Sequence, residues 1–283
     1  MGKQKMTNIT VLTTFHQEGL DVYGQRFLDS FAKNIDKRIK LLVYAEACTP
    51  INPDPDQITI LDAVESLPKL VAFKEKWGNI PKANGIPPDD IKARRPRDWH
   101  KEFKWDAVRF ANKTYAVYDA VTRSKDWCVW MDADTFVHSP WSYDDFVAQL
   151  PNDCWITYVG RGKGSQTWPE CGFYGMNVKH PMCKQFLAEF QRFYVDANNG
   201  IFELEEWHDS YIFDVVRKQL ETDNNIKNIN ISDLGLFKLK NDDHVFVASV
   251  LGQFMDHKKG NRKQSKWSHE LLLRIKEEKE KNL

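Results

Sequence analysis

The sequence lacks an excess of charge of either sign. Its 283 residues include 40 Lys and Arg and 40 Asp and Glu, so the formal net charge is zero. A protein held on nucleic acid by bulk charge, such as a histone-like or ribosomal protein, needs a strongly basic chain. The charge balance therefore argues against that class of protein. A local basic groove is still compatible with a net charge of zero.

The sequence also lacks long apolar runs and a cysteine framework. No stretch of about 18 consecutive apolar residues occurs, so we expect no membrane-spanning helix. The polar start does not resemble a signal peptide. The five cysteines are odd in number and form no C-x-x-C pair, which argues against disulfides and structural zinc. These absences favour a cytoplasmic protein, within the host cell if the chain is viral.

Aromatic rings, by contrast, are abundant, with 10 Trp, 9 Tyr and 17 Phe. Such rings fill protein cores or stack on ring-shaped ligands. Trp127, Trp130 and Trp155 lie in apolar runs, and we expect them in the core. Four others stand beside candidate site loops and are expected to stack on a sugar or a base: Trp99, Trp105, Trp168 and Trp207.

The apolar pattern predicts a single α/β domain over residues 1–283. Apolar and β-branched runs predict strands at 9–15, 41–44, 58–61, 127–131, 154–159, 171–176 and 245–251. Apolar spacing near 3.6 residues predicts helices at 23–35, 103–123, 181–194 and 209–220, with a charged, solvated helix at 267–279. Strands that alternate with helices indicate a Rossmann-like fold with a mostly parallel central sheet flanked by helices.

Two carboxylates, Asp132 and Asp134, follow the predicted central strand as a D-x-D triplet. Ligands of an open α/β sheet bind at the carboxyl ends of its strands, and carboxylate oxygens suit Mg²⁺ or Mn²⁺. The triplet therefore predicts a metal site, with a solvated turn as the alternative. A second triplet, Asp54–Pro55–Asp56, lies among prolines with no strand leading into it, and we interpret it as a solvated turn.

A second candidate segment runs from Asp256 to Lys263. His257 can complete a carboxylate metal site, and Gly260 permits close approach of the backbone to a phosphate. Lys263 can neutralise a diphosphate together with Arg262. A solvated basic loop explains the same residues about as well.

Arg109 and Lys113 share one face of the predicted helix that leads into the central strand. We interpret them as two cations for a nucleotide diphosphate, with a solvated helix face as the alternative. They belong to a basic segment, Lys92–Lys113, that carries eight Lys and Arg against three Asp and Glu. This segment is a candidate surface for the backbone of DNA.

The acidic stretch from residue 196 to residue 214 carries six acidic residues and no Lys or Arg. Within it, His208 and Asp209 stand at a predicted helix start, where they either face an acceptor hydroxyl or simply cap the helix. An inverting group transfer needs a carboxylate base near that hydroxyl. Asp209 is the first candidate catalytic residue, Glu170 is the second, and His208 stands beside them.

The order of these segments resembles that of the GT-A glycosyltransferases, and looks most like their retaining, metal-dependent branch with a C-terminal H-x-x-G-x-x-K motif. Here that motif is His257, Gly260 and Lys263. The resemblance spans residues 7–267 as short motifs, and it departs after the last lysine, where Gln264 and Ser265 replace the usual proline and tryptophan. It divides the chain into a nucleotide-sugar-binding half (7–134), an acceptor-binding half (135–267) and a C-terminal helix (268–283).

The resemblance implies a donor substrate, a metal and the residues that hold them. The donor is expected to be a nucleotide-diphosphate sugar, with a UDP-sugar the leading candidate, and the metal Mn²⁺ or Mg²⁺. Asp132, Asp134 and His257 are the implied metal ligands. The resemblance implies that Thr13, Thr14 and Phe15 lie by the nucleobase and that Lys263, with the metal bound at Asp132, lies by the diphosphate. The residue patterns above add Arg109, Lys113 and Gly260 to the donor-binding residues at the diphosphate.

The acceptor stays open at this point. It is either a hydroxymethylated pyrimidine in bacteriophage DNA or a saccharide or lipopolysaccharide. Two other interpretations use the same residues: a metal-dependent nucleotidyltransferase or phosphodiesterase, and a non-catalytic nucleic-acid-binding module built on Lys92–Lys113. A nucleotidyltransferase or phosphodiesterase normally shows a Gly-rich phosphate loop after the first strand, whereas residues 13–19 contain one glycine. The sequence indicates no oligomeric state.

Overall fold

The computed structural model describes residues 6–86, 89–93, 102–161, 168–234, 245–258, 263 and 265–281. The strands within them are β1 (Ile9–His16), β2 (Lys40–Glu46), β3 (Ile58–Asp62), β4 (Trp127–Met131), β5 (Thr135–Val137), β6 (Ile156–Val159), β7 (Glu170–Asn177), β8 (Ile229–Asn230) and β9 (Met255–His257). The α-helices are α1 (Gln17–Gly19), α2 (Gln25–Asn34), α3 (Ala63–Ser66), α4 (Pro68–Trp77), α5 (Asp89–Ala93), α6 (Ala107–Arg123), α7 (Tyr143–Val147), α8 (Pro181–Val195), α9 (Asp209–Asn224), α10 (Val245–Ala248) and α11 (His269–Lys281). Shorter π or 3₁₀ turns occur at Leu20–Gly24, Pro81–Ala83, Glu102–Trp105, Ile201–Glu203, Ile231–Leu234 and Val250–Gln253.

The central sheet has seven strands in the order β3-β2-β1-β4-β7-β6-β8. Strands β3, β2, β1 and β4 run parallel to one another, and β8 runs parallel to β6. Only β7 runs antiparallel to its neighbours, β4 and β6. The predicted class is confirmed: the chain forms one α/β domain with a mostly parallel central sheet between helices.

Both faces of the sheet are covered at strand β4, where all five residues are buried. Successive side chains of a strand point to opposite faces. Trp127 and Val129 accordingly join a core with helices α2, α7, α10 and α11, whereas Cys128 and Trp130 join a core with α4, α6, α8 and α9. The carboxyl ends of β1, β2 and β4 therefore meet at one edge, with helices on either side.

The predicted strand at 245–251 is wrong. This segment forms helix α10 and a 3₁₀ turn, Val250–Gln253. Val245, Phe246, Val247 and Leu251 are all buried. A short apolar run buried on all sides carries no periodicity that separates strand from helix.

The tryptophans divide differently from the prediction. Trp127, Trp130 and Trp155 are core residues as expected. Trp105 and Trp207 are 1% and 0% exposed, and their indole N–H groups donate to the carbonyls of Glu205 and Leu204 at 3.0 and 2.9 Å. These two rings therefore support the fold from within, and Trp99 lies outside the described residues.

Three further expectations concern the second D-x-D triplet, the C-terminal helix and membrane-spanning helices. The second D-x-D triplet is a turn, as predicted: Asp54 accepts N–H bonds from Asp56 and Gln57 and pairs with Lys37 at 2.6 Å. The C-terminal helix is less solvated than predicted, because Arg274 is buried and donates to the carbonyl of Val247 at 2.7 Å. In the described ranges, no helix combines the length and apolarity that crossing a membrane requires.

Candidate metal centre and two adjoining cavities

Three predicted metal ligands come together at the carboxyl edge of the sheet. Asp132, Asp134 and His257 each offer a ligand atom, and these atoms all lie within 4.8 Å of one another. Nε2 of His257 is 3.1 Å from Oδ1 of Asp134 and 3.6 Å from Oδ2 of Asp132. Two carboxylates and one imidazole are a donor set suited to Mn²⁺ or Mg²⁺. The arrangement thus fits a divalent cation.

The turn after β4 aims the two carboxylates. The N–H of Asp132 donates to the carbonyl of Gly172 at 2.9 Å, and its own carbonyl accepts the N–H and hydroxyl of Thr135 at 3.1 and 2.7 Å. Strand β5 begins at Thr135 and pairs with β9 in a small antiparallel sheet, in which Thr135 lies opposite His257. This second sheet brings His257 to the D-x-D turn.

Gly172 of β7 leaves the room that the imidazole occupies. A Cβ atom at this position would lie 2.6 Å from Cε1 and 2.8 Å from Nδ1 of His257. A Cβ atom essentially never lies this close to a non-bonded heavy atom, so any larger residue at this position would displace the ring. Glycines inside a strand often mark a close approach of another group, and at Gly172 that group is the imidazole of His257.

Lys263 supplies a positive charge at the centre. Its Nζ lies 3.0 Å from Oδ2 of Asp134. Burial by itself raises the pKa of Asp134, but His257 and Lys263 outweigh it and hold that pKa well below its usual range. Burial likewise tends to lower the pKa of Lys263, and Asp134 outweighs it and raises that pKa. The two groups therefore hold each other in their charged forms.

Lys113 is a buried cation shared between two carboxylates. Its Nζ lies 2.7 Å from Oδ2 of Asp209 and 3.2 Å from Oδ1 of Asp132, and it also donates to the carbonyl of Cys171. Burial favours a lower pKa for this lysine, but Asp132 and Asp209 outweigh it and raise the pKa. The indole N–H of Trp130 donates to the same Oδ1 of Asp132 at 2.6 Å. Oδ1 is thus held by the protein, and Oδ2 faces His257.

The predicted catalytic residues line the same region with different partners. Asp209 begins α9 and pairs with Lys113. His208 caps that helix: its Nδ1 accepts the N–H of Tyr211 at 3.3 Å, and its Nε2 lies 3.0 Å from Oε2 of Glu206. Both ring nitrogens of His208 are therefore engaged, which matches the capping alternative.

Glu170, the second candidate carboxylate, lies on the metal side of the region. Its Oε2 accepts a hydrogen bond from Arg161 at 2.7 Å, and its Oε1 is 3.7 Å from Nδ1 of His257. A carboxylate behind a metal-binding imidazole commonly orients it. The structure thus places Glu170 beside His257, one of the three candidate metal ligands.

Two cavities adjoin the centre. The β1 cavity, of about 620 Å³, is lined by Thr14, Phe15 and other residues at the carboxyl ends of β1 and β2. The metal cavity, of about 710 Å³, contains the three candidate ligands together with Lys113, Glu170, His208 and Asp209. Arg109 and Lys263 line both cavities. The two spaces therefore meet where these cations lie.

The remaining predicted donor-binding residues have mixed outcomes. Thr13 is fully buried and lines neither cavity. Gly260 and residues 94–101 of the basic segment lie outside the described residues. Sequence reasoning missed several residues of the β1 cavity, namely Tyr23, Glu46, Lys74, Asn84 and Asn112. Glu46 ends strand β2, so the carboxyl-edge rule that found Asp132 would also have found it.

Comparison with known proteins identifies no relative: no protein-family model and no curated protein matches this sequence. The chemistry of the site is therefore the ground on which a function can be proposed.

Proposed function

We propose that this protein is a metal-dependent GT-A-type glycosyltransferase that moves a sugar from a nucleotide-diphosphate sugar to an acceptor hydroxyl. One observation carries the proposal: Asp132, Asp134 and His257 converge within 4.8 Å at the edge where the two cavities meet. Paired carboxylates and an imidazole beside cations suit a metal-bound diphosphate.

The two cavities fit the two parts of such a donor. The β1 cavity offers an aromatic ring, Phe15, and amide groups, Asn84 and Asn112, which suit a nucleoside. Arg109 and Lys263 stand at the junction, where the diphosphate would lie. The metal cavity then receives the sugar. A UDP-sugar remains the leading candidate, as the sequence resemblance implies.

The charges of the site suit the transfer itself. A divalent cation bound by Asp132, Asp134 and His257 would act as a Lewis acid that stabilises negative charge on the leaving diphosphate. The bond between the anomeric carbon and the phosphate oxygen breaks, its electron pair stays on the diphosphate, and the acceptor oxygen bonds to that carbon. The hydroxyl proton passes to Asp209 in an inverting reaction, or to the departing phosphate oxygen in a retaining one.

Turnover of sugar nucleotides tests the proposal. We expect a panel of UDP-, GDP- and dTDP-sugars to include one that is cleaved with Mn²⁺ or Mg²⁺, slowly by water and faster with an acceptor. Asp134→Asn should lower the rate by about a hundredfold or more, since it removes a metal ligand and a charge. The matched control is Asp56→Asn, in the second D-x-D triplet. Turnover that withstands both a chelator and Asp134→Asn contradicts the metal mechanism.

The identity of the released nucleotide separates this proposal from its enzymatic alternative. Glycosyl transfer breaks the bond between sugar and phosphate and releases a nucleoside diphosphate. Nucleotidyl transfer or phosphodiester cleavage breaks the bond between the phosphates, so a sugar phosphate leaves and the nucleoside monophosphate passes to the acceptor or to water. Chromatography of the products therefore decides between the two reactions, and we expect the diphosphate.

A further inference from the structure

One side of the metal cavity is an aromatic wall formed by Phe103, Phe110 and Trp168. The three rings surround the imidazole of His208, with centroid distances of 5.7, 5.8 and 4.5 Å respectively. All three rings line the cavity: Phe103 is 37% exposed, and Phe110 and Trp168 are half-buried. Exposed rings that line a cavity present apolar faces to a ligand.

The wall is held rigid from behind. His208 is only 2% exposed, and its hydrogen bond to Glu206 is continued by an ion pair of 2.7 Å between Glu206 and Lys104. Nζ of Lys104 lies 4.8 Å from the centre of the Trp168 ring. The carbonyl of Trp168 accepts a hydrogen bond from Arg161 at 3.0 Å. Because these partners hold His208 and Trp168 in place, a ligand would lose little free energy in ordering them.

Most of the described cations around the wall are paired with carboxylates of the protein. Of the described cations that line the metal cavity, Lys113 pairs with Asp209 and Asp132, Arg161 with Glu170, and Lys263 with Asp134. Arg109 is the exception within the described ranges, and it stands at the junction with the β1 cavity. A polyanionic acceptor needs several cations free to meet its phosphates, and the described part of this wall does not offer them.

Polar groups suited to hydroxyls stand at the inner edge of the wall. Asp209 and Ser210 line the cavity at the start of α9, next to the ring of His208. The carboxylate of Asp209 accepts hydrogen bonds from hydroxyl groups, and the hydroxyl of Ser210 can both donate and accept them. Apolar ring faces beside such groups match the two-sided character of a sugar, whose C–H face is apolar and whose hydroxyls are polar.

We propose that the acceptor is an uncharged saccharide whose ring packs on Trp168 and Phe103 and directs a hydroxyl towards Asp209. This proposal rests on the proposed glycosyltransferase function and names its acceptor class. It favours a saccharide over a nucleic acid, which the sequence left open.

Saturation-transfer NMR on the full chain with Mn²⁺ tests the acceptor site without turnover. The probes are lactose and maltotriose as uncharged saccharides, glucose 6-phosphate as a charged sugar, and a short single-stranded oligothymidylate. We expect saturation of the ring protons of at least one uncharged saccharide, and a weaker signal from glucose 6-phosphate. Binding of the oligothymidylate with no saccharide binding overturns the inference.

Two tryptophan variants locate the bound sugar. Trp168→Leu should weaken saccharide binding by about tenfold, the size expected for a lost aromatic contact. The control is Trp267→Leu, because Trp267 packs on Phe136 and His138 and lines neither cavity. It should leave binding within about twofold. Equal binding by Trp168→Leu and the unmodified chain overturns the inference, provided that both show the same thermal unfolding midpoint.

Turnover distinguishes failure of this inference from failure of the proposed function. In one outcome, water cleaves a sugar nucleotide to its diphosphate, but no saccharide that binds speeds this cleavage or receives the sugar. The glycosyltransferase function then stands and the saccharide acceptor is overturned. If saccharides bind in a Trp168-dependent way but no sugar nucleotide is cleaved, the proposed function fails and the saccharide site stands.

Discussion

Nε2 of His257 lies 3.1 Å from Oδ1 of Asp134, although 123 residues separate them in the chain. The contact exists because β9 pairs with β5, the strand that begins immediately after the D-x-D turn. The small second sheet is thus the element that completes the candidate metal centre. We therefore expect the affinity of the site for a cation to depend on that pairing as well as on the ligands themselves.

Removal of the imidazole should weaken metal binding directly. We expect His257→Ala to lower the affinity for Mn²⁺ by about tenfold to a hundredfold, because a ligand and its preset orientation are both lost. Titration calorimetry or the electron paramagnetic resonance signal of free Mn²⁺ measures this affinity. His269→Ala, at the exposed start of α11, is the matched control. Equal Mn²⁺ affinity in both variants would exclude His257 as a ligand.

Gly172→Ala should disturb the same site without replacing a candidate ligand. Its Cβ would meet Cε1 of His257 at 2.6 Å, so the imidazole must shift and the Mn²⁺ affinity should fall by about tenfold. Gly175→Ala in the same strand meets Leu150 and Thr157 instead. That control should lower the unfolding midpoint and leave the Mn²⁺ affinity unchanged. A Gly172→Ala protein that binds Mn²⁺ normally would show that the imidazole position does not matter.

Lys263→Met should change metal and donor binding in opposite directions. The ammonium of Lys263 neutralises Asp134, so its removal frees a carboxylate oxygen for a cation. In the absence of nucleotide we expect Mn²⁺ to bind about fivefold more tightly, which corresponds to about 1 kcal/mol. With Mn²⁺ present, UDP should bind more weakly, because a cation for the diphosphate is lost. Calorimetry measures both, and Lys266→Met is the control on an exposed neighbour. Parallel changes in the two affinities would contradict this role.

Acid sensitivity should depend in part on Asp126, which lies far from the site in a structural contact. Burial by itself raises its pKa, but Lys179 and hydrogen bonds from the N–H and side chain of Asn8 outweigh it and lower the pKa from 3.8 to about 2. A carboxyl whose pKa is lower in the folded state stabilises the protein above its unfolded pKa, and this contribution is lost as the pH falls towards the folded pKa.

The contribution of Asp126 is up to about 2 kcal/mol at neutral pH, fading below pH ~4 and gone near pH ~2. Urea unfolding at several pH values tests this. The free energy of unfolding of the unmodified chain should fall more steeply between about pH 4 and pH 2 than that of Asp126→Asn. Identical slopes would mean that the Asn8 and Lys179 contacts do not act on this carboxyl.

The parts of the site that sequence reasoning found share a local signal. Asp132 and Asp134 directly follow a buried strand, so the carboxyl-edge rule places them without knowledge of any other segment. Trp105 and Trp207 carried no such signal. A ring beside polar residues has the same local pattern whether it faces a ligand or the core, and both of these rings turned inward to hydrogen-bond backbone carbonyls.

Local patterns in the sequence are enough to predict the fold class, the edge of the sheet where the candidate site lies, and the kind of ligand atoms found there. These follow from local periodicity and from residue types that directly follow strands. Three features became visible in the folded chain alone: His257 reaches the D-x-D turn, Gly172 makes room for it, and Lys113 lies between Asp132 and Asp209. Each of these depends on contacts between segments far apart in the chain, which no local pattern encodes.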